Sequence, residues 1–435
     1  MIKRDRYLAQ LISNKENGFP KVVTGIRRCG KSFLLKEIYR RYLVDSGTDP
    51  DNILTIELDT DAGIRYRNPL ILGKYVREYC GGKGKCFVFI DEIQLVNTIV
   101  NPAFTGDRIV LAKSGDENTI SFVEVVLGLS RERNIDLYVT GSNSKMLSSD
   151  IVTEFRDKAT IINIGPLSFE EFYLHAGGSK TDAFYDYLTY GGMPLAVLKD
   201  KGEKRAYLKN LFNTTYIADI LEHNRIQKSE ALEELCNILS TCTGELINSQ
   251  KLADTYNSVS HLGIDKDTVT KYISFFMDAF IIREARRYDV KGRREIGALR
   301  KYYFADTGLR NARLDFSFTD EGHLLETVVF NELIYNGYSV SVGTYDKVEK
   351  DGSGKSTKKN YEIDFLARRD SRVFYVQTSS DLSKEDTRKR ELKPFLALND
   401  QIQKVLVINK PLDESLDENG FIIIGITDFL LRFIK

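Results

Sequence analysis

Over the first 165 residues, short apolar segments alternate with longer amphipathic ones. Five runs rich in β-branched residues are typical of buried strands and cover residues 21–26, 53–59, 87–93, 136–142 and 160–167. Segments with helical periodicity, such as 31–45, lie between these runs. Strands that alternate with helices predict βαβ units and a parallel sheet covered on both faces. We therefore predict an α/β domain over residues 1–167, which residues 96–120 interrupt as an insertion or a long loop.

The pattern changes after residue 167, and the fold class we predict is α/β and multidomain. A tyrosine-rich helical stretch is followed by three helical segments, at 231–239, 247–257 and 265–282, and then by a strand-rich stretch. Three helices followed by a hairpin are typical of a winged helix. The predicted domains are a helical lid subdomain at 168–224, a winged helix-turn-helix at 225–305 and a C-terminal α/β domain at 306–435.

Composition limits the possible partners. The chain has 435 residues, with 62 Lys and Arg against 62 Asp and Glu, so its formal net charge is zero. A role with nucleic acid must therefore depend on a local basic patch. No apolar run approaches the roughly 18 residues of a membrane span, the charged start is unlike a signal peptide, and the five cysteines form no CxxC pair. These features predict a cytoplasmic protein without a membrane partner.

One segment carries a specific pattern for phosphate binding. Residues 25–32, GIRRCGKS, match GxxxxGK[ST], follow an apolar strand and open an amphipathic helix. In such a loop, backbone N–H groups surround the phosphates at the positive end of the helix dipole. Lys31 would reach the β- and γ-phosphates, and the Ser32 hydroxyl would ligate Mg²⁺. We predict ATP and Mg²⁺ as ligands, with ATP bound by Gly25, Arg28, Cys29, Gly30, Lys31, Ser32 and Phe33.

Other strand ends carry residues suited to nucleotide hydrolysis. A buried apolar run ends in Asp91 and Glu92, and strand ends are where α/β sheets place ligands. Asp91 is predicted to hold Mg²⁺ through water, and Glu92 to polarise the attacking water. Ser142 or Asn143, at the end of the next strand, would bond the γ-phosphate or that water; the alternative is a plain turn. Arg156 is a candidate arginine finger, or else an arginine on a helix surface.

The predicted wing is strongly basic. Residues 283–301 hold eight Lys and Arg against three acidic residues, which gives a local charge of +5. Neutralising DNA phosphates needs such a patch. The DNA-binding candidates are Arg286, Arg287, Lys291, Arg293 and Arg294. The alternative is a hairpin that packs between domains and whose charges are solvated.

Five motifs follow one another along the chain: TGIRRCGKSFLLKEI, FVFIDEIQ, YVTGSNSKML, INIGPLSFEEFY and YLTYGGMP. Together they resemble the prokaryotic AAA-superfamily ATPases that carry a C-terminal domain with a nuclease-like core. The similarity covers essentially the whole chain. It implies an ATP-binding module, a winged-helix element and a C-terminal restriction-endonuclease-like fold related to PD-(D/E)XK nucleases.

The resemblance also implies where a nuclease centre would lie. A PD-(D/E)XK centre has an acidic residue on its first helix, then an Asp, and then Glu-x-Lys on the next strand. Its carboxylates hold a divalent metal, and its lysine stabilises charge on the scissile phosphate. The matching positions are Glu326, Asp364, Gln377 and Ser379. Gln377 replaces a carboxylate and Ser379 replaces the lysine, so we predict a degraded centre.

Three functions are compatible with these features. The first is a nucleotide-driven switch that acts on double-stranded DNA through the winged helix and the C-terminal domain. The second is a nucleotide-controlled docking or signalling switch whose partner is a protein or a second copy of the chain. The third is an ATP-regulated nuclease, against which Gln377 and Ser379 argue.

Overall fold

The computed structural model describes residues 1–106, 108–113, 115–141, 155, 158–224, 226, 229–259, 263–317, 320–350, 356–382 and 385–435. The described chain divides into two compact units. The first comprises residues 1, 3–165 and 278–280, and the second comprises residues 2, 166–277 and 281–435.

The first unit is an α/β domain. Its strands are β1 (Lys21–Thr24), β2 (Ile53–Glu57), β3 (Cys86–Asp91), β4 (Ile99–Val100), β5 (Thr119–Ile120), β6 (Ile135–Thr140) and β7 (Thr160–Asn163). Its helices are α1 (Asp5–Ser13), α2 (Lys31–Phe33), α3 (Arg40–Asp45), α4 (Pro69–Cys80) and α5 (Phe122–Leu129), and a π-helical segment, Leu34–Tyr39, joins α2 to α3. Short 3-10 helices occur at Pro50–Asn52, Ile64–Arg67, Ile93–Leu95 and Pro102–Phe104.

Five of these strands form one parallel sheet in the order β2-β3-β6-β1-β7. The five predicted strands and the parallel sheet are thereby confirmed. β3 and β6 are buried at every residue, as expected of central strands covered on both faces. Because β6 pairs in parallel with both β1 and β3, the carboxyl ends of all three strands lie at one edge of the sheet. That edge carries the predicted phosphate loop and Asp91.

The predicted insertion at 96–120 contains a small ladder of its own. β4 pairs with β5 in antiparallel register, with Ile99 opposite Ile120. Helix α5 follows at once and begins with a capping box formed by Ser121 and Glu124.

The second unit contains helices and one large sheet. Its helices are α6 (Phe169–Ala176), α7 (Lys180–Tyr190), α8 (Pro194–Val197), α9 (Lys201–Asn210), α10 (Ala218–Asn224), α11 (Ser229–Thr241), α12 (Ser249–Val259), α13 (Lys266–Asp278), α14 (Thr307–Arg313), α15 (Glu321–Tyr335), α16 (Glu385–Leu396) and α17 (Ile426–Asp428). π-Helical segments at Leu211–Ile217 and Phe429–Phe433 follow α9 and α17. Its strands are β8 (Ile282–Asp289), β9 (Arg294–Phe304), β10 (Ser339–Lys350), β11 (Ser356–Arg369), β12 (Arg372–Ser379), β13 (Gln403–Ile408), β14 (Ser415–Leu416) and β15 (Ile422–Gly425).

The basic hairpin differs from the separate wing that the sequence predicts. The eight strands of the second unit form one sheet in the order β14-β15-β13-β12-β11-β10-β8-β9. Strand β8 pairs in parallel with β10, and Arg287 lies opposite Val342. The hairpin β8–β9 is therefore one edge of the C-terminal sheet. The boundary predicted at 305/306 separates two parts that main-chain hydrogen bonds join.

The helices predicted as a lid also share the C-terminal core. Phe169, Phe172 and Phe184 of α6 and α7 are buried in the same hydrophobic cluster as Leu325 and Phe330 of α15. Burying three aromatic side chains contributes several kcal/mol to folding, on the order of 1.5–3 kcal/mol each. In the described residues, these helices therefore pack against α15 of the C-terminal region, and the boundaries at 224/225 and 305/306 stay predictions.

Two buried carboxylates explain two of the motifs on which the resemblance depends. In PLSFEEF, the N–H of Phe169 donates to Glu332 over 2.6 Å. In YGGMP, the N–H of Gly192 donates to Asp306 over 2.6 Å, and a Cβ at Gly191 would lie 2.1 Å from the same carboxylate. Burial raises the pKa of Glu332 to about 7 and that of Asp306 to about 6. These motifs hold the helical region onto the C-terminal core.

Among the described residues, every helix is too short or too polar to cross a bilayer.

Candidate functional site

The phosphate loop lies between β1 and α2, at the carboxyl edge of the parallel sheet. Gly25 has φ +139°, and a Cβ there would lie 1.9 Å from the carbonyl oxygen of Ile164, so only glycine fits. Gly30 precedes α2 with φ +98°. The ammonium of Lys31 is buried and donates to the carbonyls of Gly25 and Ile26 over 3.0 and 3.1 Å. The predicted loop therefore curls around its own lysine.

The remaining residues of the predicted ATP-binding set differ in exposure. Cys29 is buried, and its Sγ lies 3.4 Å from the carbonyl oxygen of Ile164. Arg28 has φ +63° and is exposed, and so is Phe33 on the first turn of the helix. Arg4, which the sequence analysis did not single out, donates to the carbonyl of Cys29 over 3.2 Å. Arg4 of the N-terminal segment thus contacts the phosphate loop through the carbonyl of Cys29.

Three oxygen-bearing side chains meet at the end of this loop. The Ser32 hydroxyl donates to Asp91 Oδ1 over 2.8 Å, and the Thr140 hydroxyl donates to the same oxygen. Hydroxyl and carboxylate oxygens are the hard ligands that Mg²⁺ prefers. Ser32 and Asp91 therefore fit the magnesium site that the sequence predicts. Thr140 was missed, although it ends β6 directly before the small polar residues that the sequence analysis noted.

A lysine that the sequence analysis also missed contacts this cluster. Lys36 Nζ lies 3.2 Å from Asp91 Oδ2 and 2.7 Å from Glu57 Oε1. Burial favours a lower pKa for Lys36, but the hydrogen bond to Glu57 and the charge of Asp91 outweigh it and raise the pKa. Glu57 and Asp91 end neighbouring strands in register. Only the sheet pairing brings these groups together.

Glu92 has a strained backbone. Its φ and ψ are +55° and +50°, a left-handed conformation that costs a residue with a side chain about 1–2 kcal/mol. Its N–H donates to the Thr140 hydroxyl over 3.1 Å, and its carboxylate accepts a hydrogen bond from Gln94. Strain of this kind concentrates at functional sites.

The other two catalytic candidates cannot be placed. Asn143 and Arg156 lie outside the described residues, as does Ser142. Their roles stay predictions.

Two of the DNA-binding candidates in the hairpin contact the neighbouring strand β10. Arg287 is half-buried and donates to the Thr344 hydroxyl over 3.1 Å. Lys291 donates to the carbonyl of Asp346 over 3.2 Å. Both cations therefore help to fix the hairpin to the sheet.

The other three candidates face outward to different degrees. Arg286 is 54% exposed and pairs with Glu284 and Glu295, at 2.8 and 3.3 Å. Arg293 and Arg294 are exposed at the turn of the hairpin. The exposed positive charge is thus smaller than the sequence indicates, and it is concentrated at the turn.

The four residues matched to a nuclease centre are brought into one region but are buried. The exposed fractions of Glu326, Asp364, Gln377 and Ser379 lie between 6% and 8%. Asp364 accepts hydrogen bonds from Gln377 Nε2 over 3.1 Å and from both the N–H and the hydroxyl of Thr378, each over 2.8 Å. Burial, followed by the charge of Glu326, raises the pKa of Asp364 to about 8. Such a carboxyl is a poor ligand for a metal or a substrate.

Comparison with protein families gives two matches. Residues 17–173 match a family model described as an AAA domain. Residues 181–320 match a model described as a domain of unknown function, DUF8612. The first match includes the phosphate loop, Asp91 and Glu92, and supports an AAA-superfamily P-loop nucleotide-binding domain in the first unit. The second match crosses the domain boundaries predicted at 224/225 and 305/306.

Two relatives cover most of the chain. An uncharacterized protein of Haemophilus influenzae is 29% identical over 439 residues, with 99% of each chain covered. An uncharacterized protein of Methanocaldococcus jannaschii is 25% identical over 412 residues, with 91% of this chain and 81% of the relative covered. Among solved structures, the Aeropyrum pernix ORC2 protein in ADPNP–ADP complexes is similar over 72% of this chain and 92% of that chain, at 10% identity and a TM-score of 0.35. A TM-score this low says nothing about function.

Proposed function

We propose that the first unit binds and hydrolyses ATP with Mg²⁺ and that the chain is a nucleotide-driven switch. The observation that carries this proposal is the meeting of the phosphate loop with the end of β3, where the Ser32 hydroxyl lies 2.8 Å from Asp91. A GxxxxGK[ST] loop between a strand and a helix, beside a buried aspartate from another strand, is the arrangement that P-loop nucleotide hydrolases use.

Each side chain has a distinct task in this proposal. Lys31 and the N–H groups of the loop bind the phosphates. Ser32 and Asp91 hold Mg²⁺, which neutralises phosphate charge when it is bound. The Thr140 hydroxyl positions both Asp91 and the backbone of Glu92. Glu92 orients the attacking water and accepts its proton.

The test is ATP turnover by the full chain, measured as phosphate release. Lys31→Ala is expected to lose nucleotide binding, because the loop then lacks the cation that reaches the phosphates. Glu92→Gln is expected to bind ATP and to turn over about 10²–10⁴-fold more slowly, the effect of losing a general base. Turnover by Glu92→Gln at the wild-type rate would remove Glu92 from this role.

We also propose that the switch acts on double-stranded DNA through the second unit. A cavity of about 410 Å³ lies between the start of α12, helix α13 and the hairpin. Lys266, Arg286 and Arg300 line it against one acidic residue, Glu284. A groove of this charge beside a helix-turn-helix suits a phosphate backbone. Arg293 and Arg294 extend the positive charge along the hairpin.

DNA action is tested by turnover with and without double-stranded DNA at low and moderate salt. Stimulation that falls as the salt concentration rises, and that is lost in Arg293→Gln/Arg294→Gln, would support the proposal. The matched control is Lys74→Gln/Lys389→Gln, which removes the same charge at two exposed lysines elsewhere. Turnover that ignores DNA, together with an absence of DNA binding, would favour the switch that docks a protein or a second copy of the chain.

A further inference from the structure

A buried lysine lies where the nuclease-like centre would hold its metal. Lys301, on β9 of the basic hairpin, is 4% exposed. Its Nζ lies 2.8 Å from Glu326 Oε1 on α15 and 2.8 Å from Glu362 Oε1 on β11. One ammonium therefore bridges two carboxylates from two different elements. No sequence pattern indicates this contact, because Lys301 belongs to the predicted wing.

Other side chains around Lys301 donate hydrogen bonds to the neighbouring carboxyl groups. The Tyr303 hydroxyl, two residues along β9, donates to the same oxygen of Glu326 over 2.6 Å. Asp364 lies two residues from Glu362, so both project from the same face of β11. Its oxygens accept bonds from Gln377 and Thr378. The carboxylates are thus all engaged with protein donors.

The charge of Lys301 argues against a metal ion at this position. The ammonium of Lys301 contacts carboxylate oxygens of both Glu326 and Glu362 at 2.8 Å, so a positive charge already lies where a divalent ion would bind between them. The residues present therefore do not fit the divalent ion that the resemblance implies.

We infer that the ammonium of Lys301 takes the place of the metal ion in the nuclease-like centre, so that this centre is closed by an internal ion pair and binds no divalent cation. The buried carboxylate of Glu326 needs a counter-charge, since the uncompensated burial of a charge is strongly unfavourable. The hairpin supplies that charge from within the chain. The ion pairs of Lys301 also connect β9 with α15 and β11, and so help to hold the hairpin in the C-terminal sheet.

The inference predicts that removing Lys301 opens a metal site. Mn²⁺ binding is measured by isothermal titration calorimetry without nucleotide, in an Asp91→Asn background that silences the site in the first unit. With Lys301 present, we expect no Mn²⁺ binding at millimolar concentrations. The Lys301→Ala variant is expected to bind one Mn²⁺, with an affinity at least about tenfold higher than that of the protein that keeps Lys301. This binding should be lost again when Glu326→Gln is added.

A matched control and a second measurement complete the test. Lys404→Ala removes another buried, ion-paired lysine of the same sheet, which contacts Asp400 at 3.0 Å, and should create no Mn²⁺ site. Mn²⁺ should also leave the melting temperature of the Asp91→Asn protein unchanged, which needs no substitution at Lys301. Mn²⁺ binding or thermal stabilisation that requires Glu326 while Lys301 is present would overturn the inference. So would a folded Lys301→Ala protein that binds no Mn²⁺.

Discussion

The phosphate-loop site and the predicted nuclease-like centre both place carboxylates beside a lysine, yet the two lysines are buried to different degrees. In the first unit, Lys36 is 26% exposed and shares Asp91 with the hydroxyl of Ser32. In the second unit, Lys301 is 4% exposed and is enclosed by carboxylates. A partly exposed lysine leaves room for an incoming cation and its ligand. A buried lysine replaces the cation altogether.

The two sites also differ in how far along the chain their parts lie. The phosphate loop is eight contiguous residues, and its spacing alone predicts its chemistry. The residues of the predicted nuclease-like centre and Lys301 lie on β9, α15, β11 and β12, so no local pattern contains them. The comparison teaches that a missing residue type in a motif is not evidence of a missing charge in the folded site.

The largest effect is expected from Gly25→Ala. Because a Cβ would lie 1.9 Å from the carbonyl oxygen of Ile164, the loop must move and its N–H groups lose their arrangement. We expect nucleotide affinity to fall by about 100-fold, equivalent to roughly 3 kcal/mol. Titration with a fluorescent nucleotide measures this. Gly82→Ala is the matched control, since Gly82 also has a positive φ, +73°, but has open space around its Cα.

Wild-type affinity in Gly25→Ala would show that the loop geometry does not carry nucleotide binding. It would also remove the contrast between a site proposed to bind nucleotide and one proposed to be closed.

A smaller effect is expected from Glu332→Gln, which tests whether the second unit uses buried carboxyls for structure. The folded-state pKa of Glu332 is raised from 4.5 to about 7, so its contribution to stability is complete below pH 4.5 and is lost as the pH rises through 7. The free energy of unfolding of the variant, relative to that of the wild type, should therefore rise by about 2 kcal/mol from about pH 5.5 to 8.5.

Urea unfolding at the two pH values measures the effect of Glu332→Gln. Glu321→Gln, an exposed residue on the same helix, should show no such gain. A constant difference between Glu332→Gln and the wild type would mean that Glu332 is ionised throughout this range.

The smallest effect is expected from Lys36→Met. Without this ammonium, Mg²⁺ no longer competes with Lys36 for the Asp91 carboxylate. The Mg²⁺ concentration at half-maximal turnover should therefore fall about fivefold, which corresponds to the loss of a partly exposed ion pair worth roughly 1 kcal/mol. Lys36→Arg keeps the charge and should stay near the wild type. A higher Mg²⁺ requirement in Lys36→Met would show that Lys36 supports the metal site instead of competing for it.

Local pattern predicted the elements well and their long-range partners poorly. The apolar runs at β1, β3 and β6 are long enough to specify buried strands, and the phosphate loop follows from its spacing. The pairing of β8 with β10 could not be predicted, because Arg287 and Val342 are far apart in the chain and nothing near either residue specifies the other. Lys36, Thr140 and Lys301 were missed for the same reason, since each gains its role through a neighbour that only the fold supplies.

The lid and the wing were predicted as separate modules because their helices and hairpin have the periodicity of such modules. Periodicity reports which face of an element is buried, but not against what it is buried. Phe169 and Phe184 meet the C-terminal helix α15. Periodicity therefore predicts these elements without indicating the neighbours against which they pack.

The most direct test of the account is Mg²⁺-dependent ATP turnover by Asp91→Asn and Asp364→Asn, measured side by side with the wild type. Each variant removes one buried aspartate from one of the two centres. The account predicts that Asp91→Asn loses turnover by about 100-fold or more, while Asp364→Asn, whose carboxyl has a pKa of about 8, stays near the wild-type rate. Full turnover by Asp91→Asn, or loss of turnover in a folded, nucleotide-binding Asp364→Asn protein, would contradict it.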